Sequence, residues 1–211
     1  MSSDYHLVID FGDFTNENFN INLQRTYFLL HIAKTFLEKI PPKLLPYEKN
    51  RTYFEAVAAG FLLFIISARD ALLQQINADL GWMLPDNKVY LSTLKEKLKT
   101  NQQNPKCIKI LKLLENCTEE PYRLSNTVGD IKRDKSWLWE LDFLRNRIGH
   151  RGVLFWKNDS RTIDTKRTLV VTNDIEEENP YDYFKNCFEN FELLTKNIHK
   201  ILSENGKGSI L

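Results

Sequence analysis

Hydrophobic residues recur at helical spacing over most of the chain. The segments with this pattern are 23–40, 52–80, 90–99, 105–116, 137–148 and 180–201. Pro41 and Pro42 end the first segment, and Pro180 opens the last. The second segment is apolar nearly all round through residues 56–66, which is typical of a helix at the centre of a bundle.

Two parts of the chain depart from helical spacing. Residues 5–11 alternate loosely and predict a short strand or an extended arm, within an N-terminal arm 1–20. The runs 153–156 and 168–172 are strand-like. We therefore predict a single, mainly α domain over residues 1–211. It is an up-and-down helical bundle of four to five main helices, with a small β-hairpin excursion at 153–172 between the last two helices.

Composition narrows the class of protein. With 211 residues, 42% hydrophobic and 27% charged, the chain is suited to a globular domain. The net charge is +1, so a surface that binds nucleic acid would have to be local. The three cysteines have no zinc spacing and predict free thiols in a reducing compartment. The longest apolar run, 56–66, is shorter than the roughly 20 residues of a membrane span. We expect a cytoplasmic protein with no membrane contact.

Polar residues concentrate at the end of the segment that starts at 137. The sequence 145–151 reads Arg-Asn-Arg-Ile-Gly-His-Arg. Five helical steps of about 100° place positions 145 and 150 roughly 140° apart on a straight helix. They could not share a site if the helix simply continued. Gly149 can adopt a left-handed backbone, and we expect this to bring His150 back beside the last turn.

The stretch Arg145-Asn146-Arg147-Ile148-Gly149-His150 resembles the motif of the HEPN superfamily, which is Arg, a polar residue, further residues and then His. Its position at the end of an amphipathic helix in a helical bundle strengthens the resemblance. Residues 67–70, with Arg69 and Asp70, are similar to a stretch in several bacterial HEPN groups. The β-like runs are a departure from the family pattern.

The resemblance implies a metal-independent endoribonuclease that needs no cofactor and no metal. The ribose 2′-OH would attack the adjacent phosphate, with His150 moving protons near neutral pH and Arg145 stabilising the charge on the phosphorane. Asn146 would orient a phosphate oxygen, while Arg147 and Arg151 would hold flanking phosphates.

Partners follow from the same resemblance. One histidine does not easily serve as base and acid in one turnover, so a homodimer with a composite active site is expected, with RNA as substrate. The protein would be a toxin or an abortive-infection effector in phage defence, and an antitoxin partner is compatible with that role. Arg69 and Asp70 are candidates for supporting the site from the long helix; a purely structural ion pair is the alternative.

Other interpretations stay open. Cations at a helix C-terminus complement the helix dipole without any catalysis. The alternative function is a non-catalytic HEPN-like helical module that binds a nucleotide, RNA or a partner protein. The aromatic residues Trp137, Trp139, Phe155 and Trp156 could stack RNA bases, although core or dimer packing is the commoner use. His31 and His199 are expected to be structural or solvated.

Overall fold

The computed structural model describes residues 21–40, 51–118, 137–151, 156–158, 167–170, 177–178 and 180–204, with side chains at 24–40, 53–118, 137–146 and 181–204. The described part is mainly helical, as predicted. Its six α-helices are α1 (Ile21–Leu37), α2 (Arg51–Asp79), α3 (Leu91–Thr100), α4 (Pro105–Glu115), α5 (Trp137–Arg151) and α6 (Pro180–Ser203). A short 3-10 helix, Asp86–Lys88, lies between α2 and α3. The predicted arm 1–20 lies outside the described residues.

Helix α2 is the central element, and it packs against α1, α5 and α6. α1 and α2 run antiparallel, α2 and α6 run parallel, and α5 is antiparallel to α6, so the four helices alternate in direction along the chain. The contacts that fix these directions are Arg25–Gln74, Phe36–Phe64, Phe61–Phe184, Gln75–His199, Trp137–Phe191 and Tyr183–Glu140. The shorter helices α3 and α4 pack against each other, and α4 also contacts α6.

The core explains why these segments are helices. Phe61, Ile65 and Leu72 on α2 are almost completely buried, and so are Phe184 and Phe191 on α6. Their spacing places them on one face of each helix. The three cysteines are free thiols, and all three are buried. Burial raises the pKa of the Cys117 thiol to about 12.

Close packing of α1 on α2 depends on Gly60. A Cβ atom at this position would lie 2.4 Å from Cε1 of Phe36. Phe36 in turn stacks on Phe64, with ring centroids 5.5 Å apart. The glycine therefore lets an aromatic ring of α1 approach the backbone of α2.

Helix α2 is also long and apolar enough, over Tyr53–Asp79, to cross a membrane by length and composition. A buried core helix has the same composition, and 56% of its most apolar stretch is buried within the fold. Cytoplasmic localisation therefore stays a prediction.

Among the described residues between α5 and α6 are three short strands: β1 (Trp156–Asn158), β2 (Arg167–Val170) and β3 (Glu177–Glu178). β1 and β2 are antiparallel, with Trp156 opposite Leu169, and β2 pairs antiparallel with β3. These segments do not confirm the hairpin predicted at 153–172, because most of that stretch lies outside the described residues.

Candidate functional site

Helix α5 carries the Arg–Asn–His motif at its C-terminal end. Three contacts of different kinds hold the first half of the helix in the bundle. Trp137 meets Phe191 edge-on, with ring centroids 6.2 Å apart, and the Tyr183 hydroxyl donates a hydrogen bond to Oε2 of the buried Glu140 at 3.3 Å. Burial, together with Cys187 and Glu140, raises the pKa of Tyr183 well above its ordinary value. The third contact is an ion pair with α2.

That ion pair joins Arg69 to Asp142. Arg69 Nη1 lies 3.1 Å from Asp142 Oδ1, and the same guanidinium donates from Nε and Nη2 to Asp70 Oδ1 at 3.0 and 2.8 Å. The Arg69 side chain is only 14% exposed, whereas those of Asp70 and Asp142 are 51% and 40% exposed. Asp142 lies one turn before Arg145 on α5. The structure thus brings Arg69 next to the motif helix, through a partner that sequence reasoning missed.

The motif begins with two exposed side chains in contact with each other. Arg145 Nη1 donates a hydrogen bond to Asn146 Oδ1 at 3.0 Å, and both residues are exposed. With its oxygen engaged in this way, the amide of Asn146 has its Nδ2 group to offer a phosphate oxygen. The pair presents one cationic fork and one amide donor at the same place on the surface.

The prediction of a left-handed backbone at Gly149 is wrong. Helix α5 continues to Arg151, so Gly149 and His150 both have helical backbone. Glycine permits a left-handed conformation but does not require one. Positions 145 and 150 therefore remain about 140° apart around the axis.

The hydrogen bond to Asn146 reduces this separation in another way. Position 146 is only about 40° from position 150 around the helix axis. Because the Arg145 guanidinium bonds to Asn146, its charged end lies on the side of the helix that carries position 150. The side chains of Arg147, His150 and Arg151 are outside the described residues; their backbone belongs to the last turns of α5.

The same side of α5 carries two aromatic rings. Trp139 and Phe143 stack with centroids 5.4 Å apart and planes inclined by 12°, and both are partly exposed. Positions 139, 143, 146 and 150 fall within an arc of about 60° around the helix. We call these four positions the α5 strip. Of the predicted aromatic cluster, Trp137 is instead a core residue, and the side chains of Phe155 and Trp156 are not described.

A separate polar cluster lies among α1, α2 and α6. His199 Nε2 is 2.9 Å from Gln75 Oε1, His199 Nδ1 is 3.1 Å from the Tyr27 hydroxyl, and Gln75 Nε2 donates to Asp79 Oδ2 at 3.4 Å. A neutral imidazole satisfies every contact, donating from Nε2 and accepting at Nδ1. Burial lowers the pKa of His199 to about 4. The expected structural role of His199 is thus confirmed, and His31 is exposed on α1.

No family model matches the chain, and no curated protein or solved structure matches it either. Among the described residues, no three His, Cys, Asp or Glu side chains lie close enough together to hold a metal ion. The functional interpretation therefore depends on the chemistry of the α5 residues themselves.

Proposed function

We propose that the protein is a metal-independent endoribonuclease of the HEPN type, with Arg145, Asn146 and His150 as its catalytic residues. The observation that carries the proposal is the exposed Arg145–Asn146 hydrogen bond. It holds a permanently charged fork and an amide donor together, about one helical turn before His150. Such a set of groups is suited to a phosphate with its adjacent ribose hydroxyl.

In this proposal the reaction is an internal transesterification. A His150 imidazole takes the proton of the ribose 2′-OH as O2′ forms its bond to phosphorus. The bond from phosphorus to the 5′-oxygen breaks, and a second imidazole gives that oxygen its proton. The products are a 2′,3′-cyclic phosphate and a 5′-hydroxyl. Arg145 and Asn146 donate to the phosphorane oxygens, where negative charge builds up.

The second imidazole comes from a second copy of the chain in this scheme. A two-fold dimer that brings two α5 C-terminal ends together supplies one histidine as base and one as acid. Arg147 and Arg151 contact flanking phosphates. The ion pair between Arg69 and Asp142 steadies α5 from the side of α2, with Asp70 holding the same guanidinium. The β excursion at 153–172 belongs to the proposal as an addition to the bundle between α5 and α6.

The biological role that fits this activity is a cytoplasmic toxin or abortive-infection effector. Uncontrolled cleavage of cellular RNA arrests growth, so an antitoxin partner would be required in the absence of infection. Growth arrest on expression, relieved by His150→Ala, is the expected behaviour.

The test is cleavage of a mixed RNA in EDTA, with end-group analysis of the products. We expect the wild type to leave 2′,3′-cyclic phosphates and to spare DNA, which lacks the 2′-OH. His150→Ala and Arg145→Ala should each lower the rate by about 10²–10⁴. The matched controls are His31→Ala and Arg25→Ala, which remove an exposed histidine and an exposed arginine of α1 and should leave the rate unchanged. Intact RNA with folded wild type, or equal cleavage by the α5 variants, would contradict the proposal and favour a non-catalytic binding module.

A further inference from the structure

Trp139 and Phe143 form a stacked, partly exposed pair of rings on the motif helix. Trp137 is two residues earlier, about 200° around the axis. It is buried, 8% exposed, and packs edge-on against Phe191 of α6. One tryptophan of this short segment therefore serves the core, while the other lies on the surface of α5.

These partly exposed rings are aligned with the motif. Along the α5 strip, Asn146 follows Phe143 by about 4.5 Å and position 150 follows by about 10 Å. A ligand seated on Asn146 and Arg145 would thus extend over the rings without leaving this side of the helix. The alignment involves only residues of one helix, so it is fixed by the helical repeat.

The charge beyond the rings has a single sign. Residues 143–158 contain no Asp or Glu and four cationic residues, which are Arg145, Arg147, Arg151 and Lys157. This gives a net charge of +4 in a chain whose total is +1. Aromatic rings beside a cationic stretch are the combination by which proteins hold single-stranded nucleic acid, with phosphates on the cations and bases on the rings.

We propose that Trp139 and Phe143 are a base-stacking platform for single-stranded RNA. The phosphate at Arg145 and Asn146 positions the strand, and a neighbouring base stacks on the partly exposed rings. This inference rests on the proposed function for the identity of the ligand, and it adds a preference for unpaired RNA, because a base within a duplex has no free face to offer.

The experiment measures binding rather than cleavage. A fluorescein-labelled, unstructured ten-nucleotide RNA is titrated with the His150→Ala protein in EDTA and followed by anisotropy. In that background Trp139→Ala should weaken binding about 5- to 100-fold, and Trp139→Phe should weaken it less because a ring is kept. Tyr90→Ala is the matched control, since it removes an exposed aromatic side chain outside α5 and should change nothing. An abasic oligomer of equal length should bind the Trp139→Ala and parent proteins alike.

The possible outcomes distinguish failure of the stacking platform from failure of the proposed nuclease activity. The platform is refuted if the parent protein does not bind the RNA, or if Trp139→Ala binds as the parent does. It is also refuted if Trp139→Ala weakens binding of the abasic oligomer as much as binding of the normal RNA, because the rings then do not contact bases. Dissociation of a dimer by Trp139→Ala in sedimentation would refute it too, because the rings would then serve association. If the wild type binds RNA in a base-dependent way but does not cleave it, the stacking platform is supported and the nuclease proposal is refuted. If the wild type cleaves RNA and Trp139→Ala changes neither binding nor cleavage, the nuclease proposal is supported and the platform is refuted.

Discussion

The partly buried histidine His199 makes the stability of the fold depend on pH. Its neutral imidazole makes both of its hydrogen bonds, accepting from Tyr27 at Nδ1 and donating to Gln75 from Nε2, and partial burial disfavours the charged form. Protonation places a donor at Nδ1, opposite a hydroxyl that must then turn to accept. The perturbation we consider is therefore a decrease in pH from 7.5 to 4.5.

The magnitude follows from the two pKa values. Burial lowers the pKa of His199 from its ordinary value of 6.5 to about 4. A pKa difference of about 2.5 corresponds to about 3.4 kcal/mol, and because solvent partly reaches the ring we discount this to about 2 kcal/mol. Between pH 6.5 and 4 the unfolded chain binds the proton and the folded chain does not, so stability is full above pH 6.5 and is lost as the pH falls towards 4.

The assay is urea unfolding followed by circular dichroism at pH 7.5, 6.5, 5.5 and 4.5. His199→Gln keeps an amide donor for Gln75 but has no proton to gain in this range. Its free energy of unfolding should fall by about 2 kcal/mol less than that of the wild type between pH 7.5 and 4.5. His31→Gln, which removes an exposed histidine, should retain the wild-type pH dependence. Parallel curves for wild type and His199→Gln would refute the reasoning.

Two further predictions concern the packing around α2. Gly60→Ala places a methyl group 2.4 Å from the Phe36 ring. It should therefore lower the free energy of unfolding by about 1–2 kcal/mol, although alanine has the better helix propensity. Combining it with Phe36→Leu should remove most of this cost. A Gly60→Ala protein as stable as the wild type in urea would show that the ring moves freely. Asp142→Asn removes the partner of Arg69 on α5 and should lower the free energy of unfolding by about 1 kcal/mol. Asp70→Asn should lower it less, because Asp70 is more exposed and lies on the same helix as Arg69. Equal losses of stability in thermal unfolding would argue against a bracing role for Asp142.

The helices could be predicted from sequence because their signals are local. α4 is an example: Pro105 occupies its first position, and Asn104 caps it by accepting from the Lys106 backbone N–H. The apolar spacing of α2 likewise indicated a central helix, and its core side chains are buried as that spacing requires. Short-range rules settle where such a helix begins and which of its faces is apolar.

The candidate site was harder to predict, for three physical reasons. Glycine is compatible with both helical and left-handed backbone, so Gly149 could not by itself mark the end of α5. Asp142 was missed because an ion pair between helices depends on which faces meet, and periodicity in one helix does not give its partner. The hydrogen bond between Arg145 and Asn146 has a local signal, since the two residues are adjacent, but its geometry depends on side-chain torsions.

The ion pair between Arg69 and Asp142 joins residues 73 positions apart along the chain. Closing a loop of that length costs about 4 kcal/mol of chain entropy, which the packing of the whole bundle must offset. During synthesis α1 and α2 can associate as neighbours, whereas α5 must wait until α3 and α4 have been made. A peptide that carries only the Arg–Asn–His motif would therefore contain the proposed reacting groups without the support of Arg69, because this ion pair forms only in the assembled bundle.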